Sequence, residues 1–309
     1  MQFTTKAAAV AAIGALAGSA QAQFITSITQ PLFGSNPAEV FFTDTTTGNS
    51  ELLFDATDNP SMGVSSPGFG GLAADEANRR LFGTVQSGGE TGLYSIDYDT
   101  LTPTLVGETF LGGDGLSLSG LAYDTNRGVL YGATALGGSL GPEGFFTVDT
   151  ATGDLSLLFE FETTATSNFT YNALDYDPVT DKVYLVDEDP TGGRSIQSFD
   201  PANPAGGLSF VAALPSEFTD VDGLGAGDGK LYLLTDSAID ANNGDHGVYD
   251  ILSGQFLGGL ESPYPAYSDS VLGPINPSGG GAYAPGIPAP GAVGLLAAAG
   301  LTASRRRRA

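Results

Sequence analysis

The sequence has 309 residues, with 35 acidic and 11 basic side chains, 45 glycines, 18 prolines and no cysteine. A chain without cysteine forms neither a disulfide nor a zinc–thiolate site, and a single histidine, His246, excludes any site built from several histidines. The glycines, the prolines and the short runs of Val, Thr, Tyr and Phe between turn residues favour an all-β protein with many tight turns.

Residues 1–22 are predicted to be a signal peptide. Lys6 precedes an apolar run, and the small residues Ala20 and Ala22 stand at the positions that signal peptidase requires before Gln23. The apolar run is too short to cross about 30 Å of hydrocarbon, which argues against a permanent N-terminal anchor. Cleavage before Gln23 would release an exported protein, so export machinery is the first expected partner.

The body of the chain, residues 23–287, is strongly acidic. It contains all 35 acidic residues but only six of the basic ones, because Lys6 and four arginines lie in the two ends. Such a body repels nucleic acid and anionic lipid and attracts cations. The charge therefore predicts no nucleic-acid partner.

One segment of the body recurs about every 50 residues. Its copies read GLAADEANRRLFG, GLAYDTNRGVLYG, ALDYDPVTDKVYL and GLGAGDGKLYLL, with Leu72, Leu121, Leu174 and Leu224 as the second residues. Each copy predicts two short strands joined by a turn rich in Asp, Asn and Gly.

A second predicted hairpin alternates with the first and occurs five times. Each copy has an aspartate that opens its turn, and these residues are Asp44, Asp97, Asp149, Asp200 and Asp250. An aspartate in this position accepts hydrogen bonds from backbone N–H groups two or three residues later. We therefore interpret these five carboxylates as structural.

Two hairpins per unit give four strands, and a four-stranded unit of about 50 residues is typical of a β-propeller blade. The outer hairpin occurs five times and the inner hairpin four times, and the missing inner part is predicted near Gly273 and Tyr283. We thus predict a five-bladed propeller in which both ends of the body build one blade. A right-handed β-solenoid is the structural alternative, although its coils repeat at shorter intervals.

The body resembles the secreted propeller proteins that carry a GLAYD-type inner strand. That class contains enzymes, binding modules and scaffolds, so the resemblance implies a fold and no particular activity.

Ligand-binding residues are expected in the loops between the second and third strands of each blade and in the crossovers between blades. The candidates there are Asp187, Glu188, Asp189, Asp220, Asp222, Asp236, Asp240, Asp245 and His246. Asp240, Asn242 and Asp245 place oxygen ligands beside a glycine, as a calcium loop does. This segment lacks the distal glutamate of the complete motif, and an ordinary Asn/Gly turn is the alternative.

No catalytic residue can be assigned from the sequence. A G-x-S-x-G nucleophile elbow is absent, and 35 acidic residues are too many to identify one carboxylate pair suited to glycoside hydrolysis. The leading hypothesis is a non-catalytic surface or matrix protein that binds carbohydrate, cations or another protein. The alternative is a secreted, metal-dependent hydrolase or lyase that acts on polysaccharide.

The last 22 residues, 288–309, have three parts. Pro288, Ala289, Pro290 and Gly291 come first, an apolar run over 292–303 follows, and Arg305, Arg306, Arg307 and Arg308 end the segment. As a helix the apolar run would rise about 18 Å, which is short for a permanent membrane span. The arginines would hold this end on the cytoplasmic side during export.

This order of parts resembles the PEP-CTERM sorting signal, with Ala289 where the name-giving motif has glutamate. The resemblance implies a sorting enzyme of the exosortase type, transient contact with the inner membrane and delivery to the cell surface or to extracellular polysaccharide. A basic tail that simply binds anionic lipid is the alternative.

Overall fold

The structure is a computed structural model and describes residues 23–28, 39–45, 50–55, 69–87, 90–112, 114–134, 142–161, 173–187, 193–216, 218, 221–235, 246–260 and 280–287. The described strands form five four-stranded antiparallel sheets and one short two-stranded ribbon. We call each four-stranded sheet a blade.

The strands follow one another blade by blade along the chain. The N-terminal strands are β1 (Gln23–Ile28), β2 (Glu39–Asp44) and β3 (Ser50–Asp55). Blade 1 contains β4 (Phe69–Asp75), β5 (Arg80–Ser87), β6 (Glu90–Asp97) and β7 (Pro103–Glu108). The ribbon pairs β8 (Phe110–Leu111) with β9 (Asp114–Gly115).

The next three blades follow in chain order. Blade 2 contains β10 (Leu118–Asp124), β11 (Val129–Thr134), β12 (Gly144–Val148) and β13 (Leu155–Glu160). Blade 3 contains β14 (Leu174–Asp177), β15 (Lys182–Asp187), β16 (Ser195–Phe199) and β17 (Ser209–Ala213). Blade 4 contains β18 (Val221–Gly227), β19 (Lys230–Thr235), β20 (His246–Asp250) and β21 (Gln255–Leu260).

Blade 5 joins the two ends of the body. Its strand order is β22-β1-β2-β3, where β22 is Gly281–Tyr283. The predicted closure by both ends is confirmed, but one detail is corrected. The C-terminal segment supplies only the innermost strand, and Gln23–Ile28 supplies the second, because Phe24 pairs with Tyr283 on one side and with Thr43 on the other.

The first strands of the blades form a closed ring around a central axis. Contacts run from β4 to β10, β14, β18 and β22 and back to β4. Apolar side chains fill the gaps between neighbouring blades, and the repeat leucines Leu72, Leu121, Leu174 and Leu224 are all buried there. This arrangement confirms the predicted all-β propeller and explains why a leucine recurs in every copy of the inner motif.

The first position of the inner motif, occupied by Gly71 in blade 1 and by Gly280 in blade 5, has a packing role at the axis. A Cβ on Gly71 would lie 2.9 Å from the carbonyl carbon of Gly120, and a Cβ on Gly280 would clash with the backbone nitrogen of Leu72. The Gly280 N–H also donates to the Phe69 carbonyl at 3.0 Å. Neighbouring inner strands thus approach each other too closely for a side chain at these positions.

Gly280→Ala is expected to lower the free energy of unfolding by about 2 kcal/mol, because the added methyl group overpacks a backbone–backbone contact. Gly206→Ala is the control, since a Cβ there would meet only the end of the Asn203 side chain, at 3.2 Å. Urea unfolding of both variants tests this expectation. Equal losses in the two variants would contradict it.

The two ends of the blades differ, and we name them by their connections. The turn face carries the tight turns β4–β5 and β6–β7 and their equivalents, and the loop face carries the opposite strand ends. β1 begins on the turn face, since Gln23 pairs with Asp44 beside the turn residue Thr45, and β22 ends there.

Candidate functional site

Most of the residues that the sequence suggested for ligand binding lie outside the described part of the chain. This applies to the predicted calcium ligands Asp240, Asn242 and Asp245, so that site stays a prediction. It also applies to Glu188, Asp189, Asp220 and Asp236. Asp222 lies within β18 and His246 is the first residue of β20.

Asp187 is the member of that group whose side chain the structure describes. It ends β15 on the loop face and is buried, and its Oδ2 accepts a hydrogen bond from the Gln197 side chain at 2.8 Å. This carboxylate is therefore bonded within blade 3. Among the described residues, no group of three or more His, Asp or Glu side chains is arranged to hold a metal ion.

Arg194 is a basic residue on the same face, immediately before β16. Its Nε is buried and has no hydrogen-bond partner in the described structure. A buried N–H donor without an acceptor costs about 1–3 kcal/mol, and only an acceptor brought into contact with the buried Nε would recover that cost. Arg194 is not among the ligand-binding residues predicted from the sequence, which are acidic apart from Asn242 and His246.

A buried carboxylate lies at the axis of the ring. Asp175 stands in β14, where the other inner strands have Ala73, Ala122, Gly225 and Ala282. Its Oδ1 accepts from the Tyr176 N–H at 2.8 Å, and its Oδ2 accepts from the N–H groups of Ala226 at 2.8 Å and Tyr283 at 2.9 Å. One side chain of blade 3 thereby bonds to the inner strands of blades 4 and 5.

These three bonds satisfy backbone donors that no neighbouring strand can reach. The donors belong to β14, β18 and β22, and each of these strands is the innermost of its blade. Its inner edge therefore has no further strand to pair with. The sequence signal was the replacement of alanine by aspartate in the motif copy ALDYD. Within the repeat that change resembles ordinary variation, although a carboxylate in a buried position requires partners.

Burial raises the pKa of Asp175 to about 8, even though the three N–H donors favour the ionised form. In the unfolded chain the pKa is about 3.9. The folded protein therefore keeps a proton on Asp175 between these two values that the unfolded chain has released. The stability linked to this proton is fully present below about pH 4 and is lost as the pH rises through 8.

The free energy of unfolding is thus expected to fall by about 1.4 kcal/mol per pH unit between pH 6 and 8, and then to level off. Asp175→Asn, which cannot ionise, is expected to remove most of this slope. Urea unfolding of both proteins at pH 6, 7, 8 and 9 measures it. Parallel curves for the two proteins would assign the slope to other groups.

Four of the five outer-turn aspartates have the structural role predicted for them. Asp97 Oδ1 accepts from the N–H groups of Asp99 and Thr100, both at 2.9 Å, and hydrogen bonding lowers its pKa. In the same way, backbone N–H groups donate to three further aspartates, each at 2.8 Å. The pairs are Ala151 with Asp149, Ala202 with Asp200, and Ser253 with Asp250. Asp44 ends β2 at the matching place.

Acidic groups of the inner turns also connect neighbouring blades. Arg127 of blade 2 donates to Asp124 of the same blade at 2.8 Å. Two of its guanidinium nitrogens also donate to Asp181 of blade 3, at 2.6 and 2.8 Å. The Tyr176 hydroxyl donates to the same Asp181 at 2.7 Å. The bonds from Arg127 and Tyr176 hold the pKa of Asp181 well below its usual range.

A related contact joins blades 4 and 5. The Tyr283 hydroxyl donates to Asp228 at 2.5 Å, and the Tyr283 ring stacks on Tyr232 with 5.8 Å between centroids. The tyrosine of the GLAYD motif thus bonds to an acidic residue beside the blade interface. The sequence predicted the turns correctly but gave no indication of these contacts between blades.

The perimeter of the propeller carries one exposed apolar residue in each outer strand. In four blades it is the residue before a β-bulge, namely Leu52, Leu105, Leu157 and Phe210, with exposures of 44, 50, 39 and 70%. In blade 4 the exposed residue is Leu257, the bulged position itself. Bulges bend edge strands away from the geometry that another strand would need for pairing.

Comparisons with solved structures support the propeller architecture. A chain of a nidogen/laminin complex is 12% identical, with a TM-score of 0.51 over 84% of this chain and 98% of that one. A structural-genomics protein of unknown function from Bacteroides thetaiotaomicron VPI-5482 is 14% identical, with a TM-score of 0.52 over 85% and 71% of the two chains. The fold is a β-propeller. At these identities the likeness concerns the fold alone.

Two further comparisons found nothing. No protein-family model matches the sequence, and no curated protein matches it. Within the described residues, no helix has the length and apolar character required to cross a membrane.

Proposed function

We propose that this protein is an exported β-propeller of the cell surface or extracellular matrix that binds a partner without catalysing a reaction. The observation that carries this proposal is the distribution of hydrogen-bonding groups. Turn-face and axial carboxylates such as Asp97, Asp175 and Asp181 are bonded to backbone N–H groups or to arginine. On the loop face, by contrast, Arg194 has a donor that no described residue uses.

The chemistry of the loop face favours polysaccharide as the partner. A guanidinium group binds carboxylate and hydroxyl oxygens through directed N–H donors, and acidic side chains accept from sugar hydroxyls. Calcium held by Asp240, Asn242 and Asp245 would add ligands for sugar oxygens. These residues define the binding surface that we propose.

Two features support export and sorting. The predicted signal peptide ends at Ala22, immediately before β1, and all described strands, from β1 to β22, lie between it and the Pro288 segment. We infer that residues 1–22 direct export and that residues 288–309 direct transient membrane retention and then transfer by an exosortase-like enzyme.

The binding proposal is tested with the purified protein on a glycan array and in a polysaccharide-degradation screen, with calcium and with a chelator. We expect binding without turnover, weakened by Arg194→Ala and unchanged by Lys182→Ala, a basic control on the turn face. A thermal shift on adding calcium would support the calcium loop. Release of sugar fragments would instead favour the metal-dependent hydrolase or lyase.

A further inference from the structure

Both ends of the propeller body lie on the same face. Gln23 begins β1 on the turn face, and Tyr283 ends β22 there, one residue from Gln23 in the sheet register, since Phe24 pairs with Tyr283. The signal peptide precedes Gln23 and the arginine-rich tail follows Ile287 in the sequence. The two described ends of the body, to which these segments are attached in the sequence, therefore lie on one side.

The C-terminal exit is fixed by packing up to its last described residue. Ile287 is buried in the core between blades 5 and 1, beside Tyr98. The Gly286 backbone bonds to the Glu76 carboxylate, which also accepts from the Tyr98 hydroxyl at 2.8 Å. Glu76 and Tyr98 belong to the inner and outer turns of blade 1, so the tail starts from the turn face.

The charge of this face determines how it would meet a lipid surface. Its exposed carboxylates include Asp97, Asp99, Asp154, Asp200 and Asp228. Anionic lipids repel such a surface over a distance of about 8–10 Å at physiological salt. The body would therefore be held near the membrane by the tail alone.

We propose that the turn face is the side of the propeller that faces an anionic lipid membrane while the tail is inserted, and that the loop face points away from it. This proposal rests on the membrane role assigned to residues 288–309 under the proposed function. It adds that the partner-binding loop face is accessible before the tail is processed, because the membrane lies on the opposite side.

The sequence contains no cysteine, so a single introduced cysteine provides one labelling site. One variant carries Leu252→Cys in the outer turn of blade 4, where the leucine is 73% exposed. The other carries Ser216→Cys in the crossover after β17, where the serine is exposed on the loop face. Each is labelled with a fluorophore and mixed with vesicles of three parts phosphatidylcholine and one part phosphatidylglycerol that contain headgroup-spin-labelled lipid.

All chains begin at Gln23, so that the signal peptide does not contribute. We expect both variants to float with the vesicles and the label at position 252 to be quenched at least twofold more than the label at position 216. Flotation with equal or reversed quenching would overturn the orientation and leave the membrane role intact. Absence of flotation would overturn both. The same chain with Leu295→Arg and Leu296→Arg is the control, and we expect it to lose flotation and quenching together.

Discussion

Replacing Asp175 with alanine is expected to lower the free energy of unfolding by about 3 kcal/mol at pH 4, where the stability linked to the Asp175 proton is fully present. The substitution leaves the N–H groups of Tyr176, Ala226 and Tyr283 without their acceptor in a closed and buried position. Two of those donors belong to other blades, so the loss weakens the ring as well as one sheet. Urea unfolding followed by far-UV circular dichroism measures the effect.

Asp175→Asn is the matched control. Its amide oxygen replaces Oδ2 and can accept from both Ala226 and Tyr283, so we expect a loss of about 1 kcal/mol. If the alanine and asparagine variants lost the same stability, the bonds between blades would not be the cause. The comparison separates those bonds from the size and shape of the side chain.

Removing the closing strand is expected to have a still larger effect. A chain that ends at Gly279 lacks β22 and the buried residues Ala282, Ala284 and Ile287, and it leaves the edge of β1 unpaired. The lost burial of the isoleucine and the lost hydrogen bonds to β1 and Asp175 together account for about 5 kcal/mol. We expect this chain to lose cooperative unfolding and to elute in aggregates during size-exclusion chromatography.

A chain that ends at Ile287 provides the comparison. It keeps β22 and every described contact of blade 5, and we expect its unfolding midpoint to equal that of the full chain. A lower midpoint would show that residues after 287 contribute to the body. Together the two truncations locate the end of the propeller to within eight residues.

The repeat pattern was sufficient to predict the blades because it reflects local physics. A hairpin needs two short strands and a turn residue between them, and the aspartates at positions 97, 149, 200 and 250 mark such turns in the sequence itself. The buried leucines follow from the same repeat, since each blade packs on the next in the same way. The blade architecture could therefore be predicted from the spacing of the repeats in the sequence.

Contacts between distant blades were not accessible in this way. The segment Gln23–Ile28 carries no turn aspartate and pairs on one side with β2, which follows it, and on the other side with Gly281–Tyr283 at the opposite end of the body. The second pairing has no signal near the segment in the sequence. Asp175 likewise differs from its repeat equivalents by one substitution, and only the three-dimensional ring shows the donors that it meets. Whether groups such as Asp187 and Arg194 belong to one binding surface depends on how folding brings side chains together, which residue spacing does not encode.

The ring can close only after the last strand, β22, has been synthesised. Ribosomes make Gln23–Ile28 early and Gly281–Tyr283 near the end, so blade 5 cannot form until almost the whole body exists. The segment proposed to direct sorting, residues 288–309, follows this strand after four residues. A chain whose synthesis stops early would lack the closed ring and the segment together, and an open ring exposes apolar surface and strand edges to proteases. Incomplete chains would then be degraded, and the chains that persist would be those that contain β22.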